Sequence, residues 1–372
     1  MKIFLLLFVY VLFTTDAFRF HKALYNIKKN SLMNFIERIY KNSNVFPGST
    51  LIQYPKQLEL FNTNNTKHSS KWYTIGKSKD FVFGSSTKIT IENENYIVWK
   101  KDVDEFVGLS DTCSHGGGSL SEGKMCGNNI ECPRHYNKYN EDGEFINKGT
   151  SHIENSQLYD ITRHNVVESN DWIYFNKNFY DNTTISLPYS INLEGTYSIN
   201  HVEEVFKCNH ETVLINTLDL IHSIFTDFFG NVKDDTIQQN TPLEVGLDHY
   251  KLEYIYNSDK YSVANYAFRV NNITIKNEYL FPYTTTTTIK MKNKEVIIVA
   301  SVLPISNNKT KLFIKCYRNF WFSAMGNTII SQLMSNIMKQ HSTIVNTIPG
   351  TFTIEELKQT YRNLYEEIHS KM

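Results

Sequence analysis

The residues best suited to chemistry are two pairs, each made of a cysteine and a histidine. Cys113 and His115 form the first pair and Cys132 and His135 form the second, with sixteen residues between the pairs. Each pair is compact enough to come from one short loop. A zinc finger usually takes two cysteines from one loop and two histidines from a helix. The interleaved order instead predicts a 2Fe–2S cluster, in which two thiolates bind one iron and two imidazoles bind the other.

The residues around these pairs resemble a known domain. Three glycines, residues 116–118, and Leu120-Ser-Glu-Gly123 follow the first pair, Pro133 lies within the second, and Asn140-Glu-Asp-Gly143 comes after it. Together they are similar to the Rieske domain, whose four ligands would here be the two Cys/His pairs. A Cys/His zinc site or a chance cluster is the alternative. We expect the three glycines to let the backbone approach the cluster and to point N–H groups at its sulfurs.

One position departs from the Rieske pattern. Families of this kind usually have glycine after the second histidine, whereas this chain has Tyr136. The departure affects the expected shape of the second loop and not the ligands. Respiratory Rieske proteins tie their cluster loops with a disulfide, but Cys126 has no partner near His115, which disfavours that subclass. Cys126, Cys208 and Cys316 are widely spaced and show no disulfide framework, so we predict that they are buried free thiols.

Length and composition set the wider limits. A chain of 372 residues can bury a large core and predicts two domains after any leader. The 38 basic and 38 acidic residues balance and no basic block occurs, so the sequence does not indicate a nucleic-acid partner.

The N-terminus predicts a targeting sequence. An apolar run from Ile3 to Phe13 is too short to span a bilayer but fits a signal peptide, residues 1–17, with cleavage after Ala17. An uncleaved anchor is the alternative. Residues 18–70 form a basic leader or linker, in which the stretch from 18 to 56 holds seven Lys or Arg and one acid. With Phe18 directly after Ala17, this resembles the bipartite leader of secondary plastids. We expect a plastid location, with the secretory or endomembrane route as the alternative.

Strand patterns follow the leader in two groups. The first predicts an antiparallel Rieske domain over residues 71–177, with strands at Lys88–Ile91, Tyr96–Trp99 and Phe106–Leu109, two more between Gln157 and Tyr174, and a turn at Asp142-Gly143. The second group predicts strands at Leu252–Tyr256, Tyr283–Lys290, Val296–Leu303 and Lys311–Arg318, then a helix from about Phe322. This is an α+β pattern. The resemblance implies the helix-grip-like catalytic domain of Rieske oxygenases over residues 178–350, followed by a C-terminal helix at 351–372.

Rieske oxygenases also hold a mononuclear iron with two histidines and one carboxylate. Their motif begins Asn-x-x-Asp-x-x-His, which Asn216, Asp219 and His222 match. Asp227 stands where the motif has its second histidine, and His341 aligns with the distant aspartate. An interchange of the two types would keep two imidazoles and one carboxylate, a set that binds Fe(II). The alternative is that both positions changed after the iron was lost.

The same resemblance implies further roles. The counterpart of Asp219 links a Rieske histidine of one subunit to an iron-ligand histidine of the next in a ring of three, so we expect a catalytic relay at Asp219 and a homotrimer. Arg318, Asn319 and Phe320 resemble the pheophorbide a and chlorophyllide a oxygenase branch, which acts on chlorophyll-type tetrapyrroles. Sterol-type Rieske oxygenases would look similar at this level.

The sequence thus predicts a Rieske-type iron–sulfur oxygenase. It would use O2 and electrons from a ferredoxin or flavin reductase to oxidise an apolar small molecule, with a 2Fe–2S cluster and mononuclear Fe(II) as cofactors. The alternative is an electron-transfer or redox-sensing protein that keeps only the cluster.

Overall fold

The computed structural model describes residues 72–147, 159–179, 193, 196–217, 237–239, 244–245, 249–257, 269–280 and 282–346. The predicted signal peptide, the basic leader and the helix at 351–372 lie outside these residues. Within them, no helix is both long and apolar enough to cross a membrane.

The first group of strands lies between Trp72 and Asn176. The strands described there are β1 (Tyr73–Lys77), β2 (Ser86–Ile91), β3 (Glu94–Lys100), β4 (Phe106–Ser110), β5 (Lys124–Cys126), β6 (Asn129–Glu131), β7 (Lys138–Tyr139), β8 (Phe145–Asn147), β9 (Arg163–Ser169) and β10 (Trp172–Asn176). Short 3-10 helices cover Ser78–Asp80 and Leu120–Glu122. The strands predicted at 88–91, 96–99 and 106–109 are confirmed as parts of β2, β3 and β4.

These strands form two antiparallel sheets. In the described residues the larger sheet has the order β1-β10-β9-β4-β3-β2 and the smaller has the order β5-β6-β7-β8. The predicted turn before β8 is confirmed, since Gly143 has a φ of 83° and its N–H donates to the Asn140 carbonyl. One apolar core includes Trp99 from β3, Leu109 from β4 and Ile130 from β6, together with the cysteines Cys113 and Cys132. The predicted ligand thiols therefore belong to the core.

The second group of strands forms a larger sheet. Its described strands are β11 (Ser198–Phe206), β12 (Ile237–Gln239), β13 (Glu244–Val245), β14 (His249–Asn257), β15 (Asn272–Leu280), β16 (Thr284–Met291), β17 (Lys294–Ser306) and β18 (Lys309–Arg318). The described helices are α1 (His210–Thr217) and α2 (Ala324–Val345). Four predicted strands are confirmed within β14, β16, β17 and β18, and the predicted helix begins at Ala324 rather than Phe322.

This sheet has the order β11-β18-β17-β16-β15-β14-β12, with β13 paired to β14. Long β-branched runs favour such strands because branched side chains pack well on a pleated surface. Helix α2 packs against β11, where the Asn200 side-chain amide donates to Ser331 Oγ at 2.6 Å and to the Asn327 carbonyl at 3.1 Å. The described residues therefore combine a β domain with an α+β domain, as the sequence predicts.

A buried polar contact joins β1 to the second sheet. The Tyr73 and Tyr283 rings lie 4.7 Å apart between centroids, and both hydroxyls donate to Glu92 Oε1, at 3.2 and 3.1 Å. Beside them, Thr74 Oγ1 lies 2.8 Å from Ser301 Oγ. Burial raises the pKa of Tyr73 to about 12, so its hydroxyl stays protonated and can donate.

Candidate metal centre

Two loops bring the four predicted cluster ligands together. The loop after β4 carries Cys113 and His115, and the loop between β6 and β7 carries Cys132 and His135. Both cysteines are 1% exposed, and their thiols are close enough to hydrogen bond. The histidines are half-buried, and their ring centroids lie 4.7 Å apart at 88°. The thiols thus face the core, whereas the imidazoles lie toward the surface.

The two loops close with the same pair of backbone hydrogen bonds. In the first loop, Cys113 N donates to Gly118 O and Gly117 N donates to Cys113 O, both at 2.8 Å. In the second loop, Cys132 N donates to Asn137 O at 2.8 Å and Tyr136 N donates to Cys132 O at 3.1 Å. The ligand loops are therefore repeats of one turn, although the histidine is two residues after the cysteine in the first and three in the second.

The repeated turn explains the unusual residue after His135. Gly117 has a φ of 68°, and Tyr136, which holds the equivalent position, has a φ of 61°. The left-handed region is open to glycine but disfavours a bulky side chain by roughly 1–2 kcal/mol. The second loop thus keeps the shape that a glycine would give it.

Of the three glycine amides that we expected to point at the sulfurs, the Gly117 amide does not. The Gly117 amide donates to the Cys113 carbonyl and not to a sulfur, because it closes the turn. The backbone amides that reach the Cys132 thiol are those of Arg134 and His135. A close approach is confirmed at Gly118, where an added Cβ would lie 3.1 Å from Cys132 Sγ and 2.9 Å from Arg134 Cδ.

Arg134 ties the two loops to each other. Its guanidinium Nη1 donates to the Gly116 carbonyl at 2.6 Å, which joins the second loop to the first. A disulfide does not have this role here. Cys126, Cys208 and Cys316 are free thiols, as predicted, although Cys126 is half-buried and only the other two are buried. Cys126 Sγ instead lies 3.7 Å from Glu131 Oε2.

Asp111 anchors the backbone that follows the first loop. Its buried carboxylate accepts hydrogen bonds from Ser119 Oγ at 2.7 Å and from Ser121 N at 2.6 Å, and Lys88 Nζ lies 3.4 Å away. The Leu120 amide donates to the Asp111 carbonyl at 2.9 Å. These bonds to a charged group hold the loop to the end of β4.

Tyr139 is a contact of the cluster pocket that the sequence analysis missed. Its fully buried hydroxyl lies 3.1 Å from Cys113 Sγ and 3.2 Å from Ser114 Oγ. Ser114 donates its own proton to the Tyr159 carbonyl. The hydroxyl proton of Tyr139 is therefore available to the sulfur. Its position four residues after His135 was the signal that could have drawn attention to it.

The pocket fits a 2Fe–2S cluster. His115 Nδ1 is buried and has no hydrogen-bond partner in the described part of the chain. A buried polar atom without a partner is unfavourable unless an ion or another group occupies its lone pair. Burial raises the pKa of the free Cys132 thiol, and iron binding would offset this by stabilising the thiolate. Cys113 and Cys132 would hold one iron and His115 and His135 the other.

The predicted mononuclear site falls largely outside the described residues. Asp219, His222 and Asp227 are among the residues that the structure does not describe, and Asn216 lies in the last turn of α1. His341 lies on α2 and is half-buried. Considering the described residues alone, no three His, Cys, Asp or Glu side chains are grouped as a single-metal site.

The predicted branch motif has a structural role in this fold. Arg318 is 1% exposed, and its Nη1 donates to the carbonyls of Phe320 and Trp321, at 2.6 and 2.9 Å, while Nη2 reaches the Asn327 side chain. Asn319 Oδ1 accepts from the Glu295 amide at 2.8 Å. These contacts fix the turn between β18 and α2.

Comparison with known proteins agrees with this geometry. Residues 71–155 match the family model described as Rieske [2Fe-2S] domain. A segment of 81 residues, 22% of this chain, is 31% identical to the oxygenase component of 3-ketosteroid-9-alpha-monooxygenase from Rhodococcus rhodochrous and covers 21% of it. A segment of 69 residues, 18% of this chain, is 51% identical to Ferredoxin CarAc of Metapseudomonas resinovorans and covers 64% of it.

The likeness of the fold extends further than the likeness of the sequence. The crystal structure of dicamba monooxygenase bound to dicamba superposes with a TM-score of 0.62 at 14% identity, covering 82% of this chain and 98% of that one. The sequence match, by contrast, spans only about a fifth of the length of the curated ketosteroid oxygenase. Residues 71–155 therefore match a Rieske domain, and the aligned 82% of the chain has the fold of dicamba monooxygenase.

Proposed function

We propose that this chain is the oxygenase component of a Rieske-type non-haem iron system. It would take electrons from a ferredoxin or flavin reductase and use O2 to oxidise an apolar small molecule. The observation that carries the proposal is the continuation of a Rieske cluster pocket into an α+β domain, in a chain whose fold alignment covers 98% of dicamba monooxygenase. A chain that only carries electrons does not need the second domain.

The cluster pocket supports the first half of this role. A bound 2Fe–2S cluster supplies one-electron transfer. The protein keeps the cysteine side in the core and the half-buried imidazoles at the surface, so electrons would enter and leave on the histidine side. Asp111, Arg134 and Gly118 hold the loops in the shape that places the ligands.

The second half of the role requires an iron site in the α+β domain. We assign its ligands to His222, Asp227 and His341, with the histidine and aspartate interchanged relative to the family motif. Two imidazoles and one carboxylate bind Fe(II) and leave positions open for O2. Asp219 would accept a hydrogen bond from a ligand imidazole and orient it, with a ring of three chains bringing one chain's cluster to the next chain's iron.

The substrate is proposed at the level of its chemistry. The matched proteins have a ketosteroid and dicamba in their names, both small ring compounds, and the ketosteroid is largely apolar. An apolar ring compound is thus the favoured class. A chlorophyll-type tetrapyrrole is the finer proposal, and it depends on the similarity around Arg318.

Nitric oxide tests the second iron without requiring the substrate. Open-site Fe(II) binds NO and gives an S = 3/2 electron paramagnetic resonance signal that is distinct from the reduced Rieske signal. We expect both signals in the wild type, and we expect His222→Ala to lose only the S = 3/2 signal. A wild-type protein with a Rieske signal and no nitrosyl signal at full iron loading would contradict the proposal.

A second function has one observation in its favour. The Rieske segment is more similar to Ferredoxin CarAc, at 51% identity, than to the ketosteroid oxygenase, at 31%. Loss of the mononuclear iron would leave an electron-transfer or redox-sensing protein on an oxygenase fold. The nitric oxide experiment separates the two functions.

The cellular location is proposed from the leader. The predicted signal peptide followed by a basic segment supports entry into a secondary plastid, with the secretory or endomembrane route as the alternative. Fusion of residues 1–70 to a fluorescent protein tests this, and retention in the secretory route would contradict it.

A further inference from the structure

Tyr136 combines a strained backbone with an exposed side chain. Its φ is 61°, in a region that bulky residues rarely adopt, and the residue is 53% exposed. A large apolar ring at the surface loses the stabilisation that burial would give it. Strained residues concentrate at functional sites, where the surrounding structure holds them in place.

The turn requires a left-handed backbone at position 136, but it does not require a tyrosine there. Gly117 holds the equivalent position of the first loop with almost the same φ, so glycine would satisfy the turn at position 136. Within the described residues, the hydrogen bond of Tyr136 runs from its backbone amide to Cys132 O, and its ring contacts no other aromatic ring. Nothing described inside this fold therefore offsets the strain of having tyrosine at this position.

The neighbours of Tyr136 form a distinct surface. Pro133 and Arg134 are exposed beside it, and the exposed Lys124 pairs across β5 and β6 with Glu131, five residues before Tyr136. The buried Glu131 pairs with both Lys124 and Lys138, at 3.1 and 3.3 Å, so this group of three side chains keeps a net positive charge. The result is an apolar centre with a cationic rim directly after the ligand His135. We call Tyr136, Pro133, Arg134 and Lys124 the Tyr136 surface.

We propose that the Tyr136 surface docks the electron-donor protein and that the strained Tyr136 is its central contact. This rests on the proposed function, in that a protein donor reduces the cluster. An exposed tyrosine is among the residues that contribute most when an interface buries them. The cationic rim selects a donor whose docking face is acidic, because complementary charge speeds the encounter.

The charge of the Tyr136 surface also favours an electron donor over a second copy of the chain as the partner that docks there. A twofold contact through the Tyr136 surface would place Arg134 and Lys124 against the same residues of the other copy, and like charges repel across an interface. An acidic donor meets the same cations with attraction. The occupant favoured by the described residues is therefore the donor.

The test compares protein and small-molecule reductants of the cluster. Anaerobic stopped-flow absorbance would follow reduction of the full chain by a reduced, acidic [2Fe–2S] ferredoxin and, separately, by dithionite. The test variants are Tyr136→Gly and Tyr136→Phe. The control for losing an exposed aromatic ring elsewhere is Phe83→Ala, because Phe83 lies between β1 and β2 and is 54% exposed. Thermal unfolding and the Rieske resonance signal report on the loop itself.

We expect Tyr136→Gly to lower the second-order rate constant with ferredoxin by about tenfold, the scale of one buried interface aromatic. Its dithionite rate and Rieske signal should stay unchanged, and its melting temperature should be equal or higher because the strain is relieved. Tyr136→Phe and Phe83→Ala should keep the wild-type rate within about twofold. The wild-type rate with ferredoxin should fall with added salt.

Two results would overturn this proposal. One is an unchanged ferredoxin rate in Tyr136→Gly, which together with a change of oligomeric mass would make a second copy of the chain the occupant. The other is a wild-type rate that does not depend on salt. The assay observes cluster reduction alone. Absence of the S = 3/2 signal in the nitric oxide experiment would therefore refute the oxygenase proposal and leave the docking proposal standing. An unchanged ferredoxin rate in Tyr136→Gly would refute the docking proposal and leave the oxygenase proposal standing.

Discussion

Replacing Tyr139 with phenylalanine removes one hydroxyl from the cluster pocket and keeps the buried ring. That hydroxyl lies 3.1 Å from Cys113 Sγ, and Ser114 already donates to the Tyr159 carbonyl. An iron-bound thiolate has no proton of its own and can only accept a hydrogen bond. Tyr139 is therefore the donor to the sulfur when the cluster is bound. The change should leave the cluster in place and alter its reduction potential.

The sign and size of the change follow from charge. Reduction adds an electron to the cluster, so a donor to the Cys113 sulfur stabilises the reduced state more than the oxidised one. A hydrogen bond to a charged group contributes about 1.5–3 kcal/mol, and we take about 1 kcal/mol as the difference between the two states. For a one-electron couple, about 1.4 kcal/mol equals 59 mV, so Tyr139→Phe should lower the potential by about 40 mV.

Protein-film voltammetry, with a resonance-monitored redox titration as the second method, measures this shift. Ser114→Ala is the matched control, because Ser114 Oγ lies 3.2 Å from the same hydroxyl and competes for its proton. Its potential should stay the same or rise. A Tyr139→Phe potential within 10 mV of wild type, with an intact Rieske signal, would refute the hydrogen bond to sulfur. An equal fall in both variants would show that loop movement, and not the donor, sets the shift.

Three further outcomes are expected. Gly118→Ala should lose most of its cluster absorbance, because an added Cβ would crowd the Cys132 thiol. Gly116→Ala should keep its cluster absorbance, because an added Cβ there meets nothing nearer than 4.0 Å. Equal cluster loading in the two variants would contradict this prediction. Burial, then the charge of Lys315, lowers the pKa of His201 to about 4, so the folded state loses stability as pH falls from about 6.5 to 4. Between about pH 6.5 and 4, the melting temperature of His201→Gln should fall less than that of wild type, and the two proteins should not differ in this respect above about pH 7.5. Parallel plots of melting temperature against pH would contradict this prediction. Tyr283→Phe should lower the free energy of unfolding in urea by about 1–2 kcal/mol, because it removes a buried donor to a carboxylate, and an unchanged midpoint would count against that contact.

The sequence predicted what depends on short-range patterns. The spacing of Cys113, His115, Cys132 and His135 predicted one shared site, and the structure brings the four side chains together because one turn of backbone holds each pair. Alternating and β-branched runs located strands such as β3 and β16 because their period follows from strand geometry. Residues 71–155 then proved to match the expected domain.

What the sequence did not predict depends on contacts between distant segments. The Tyr139 hydroxyl meets Cys113 across 26 positions, and the Arg134 guanidinium reaches Gly116 across 18, so neither contact has a local signal. The left-handed φ of Tyr136 is imposed by loop closure against the residue's own preference. The proposed relay and iron ligands at Asp219, His222 and Asp227 remain predictions, as does the role of His341.

We propose that each chain holds two kinds of iron site. The measurement is iron and acid-labile sulfide per chain, on anaerobically purified wild type and His222→Ala. We expect about three irons and two sulfides in the wild type, and about two irons and two sulfides in the variant with its Rieske spectrum intact. Two irons and two sulfides in both proteins would refute the mononuclear site and leave a cluster protein on an oxygenase fold.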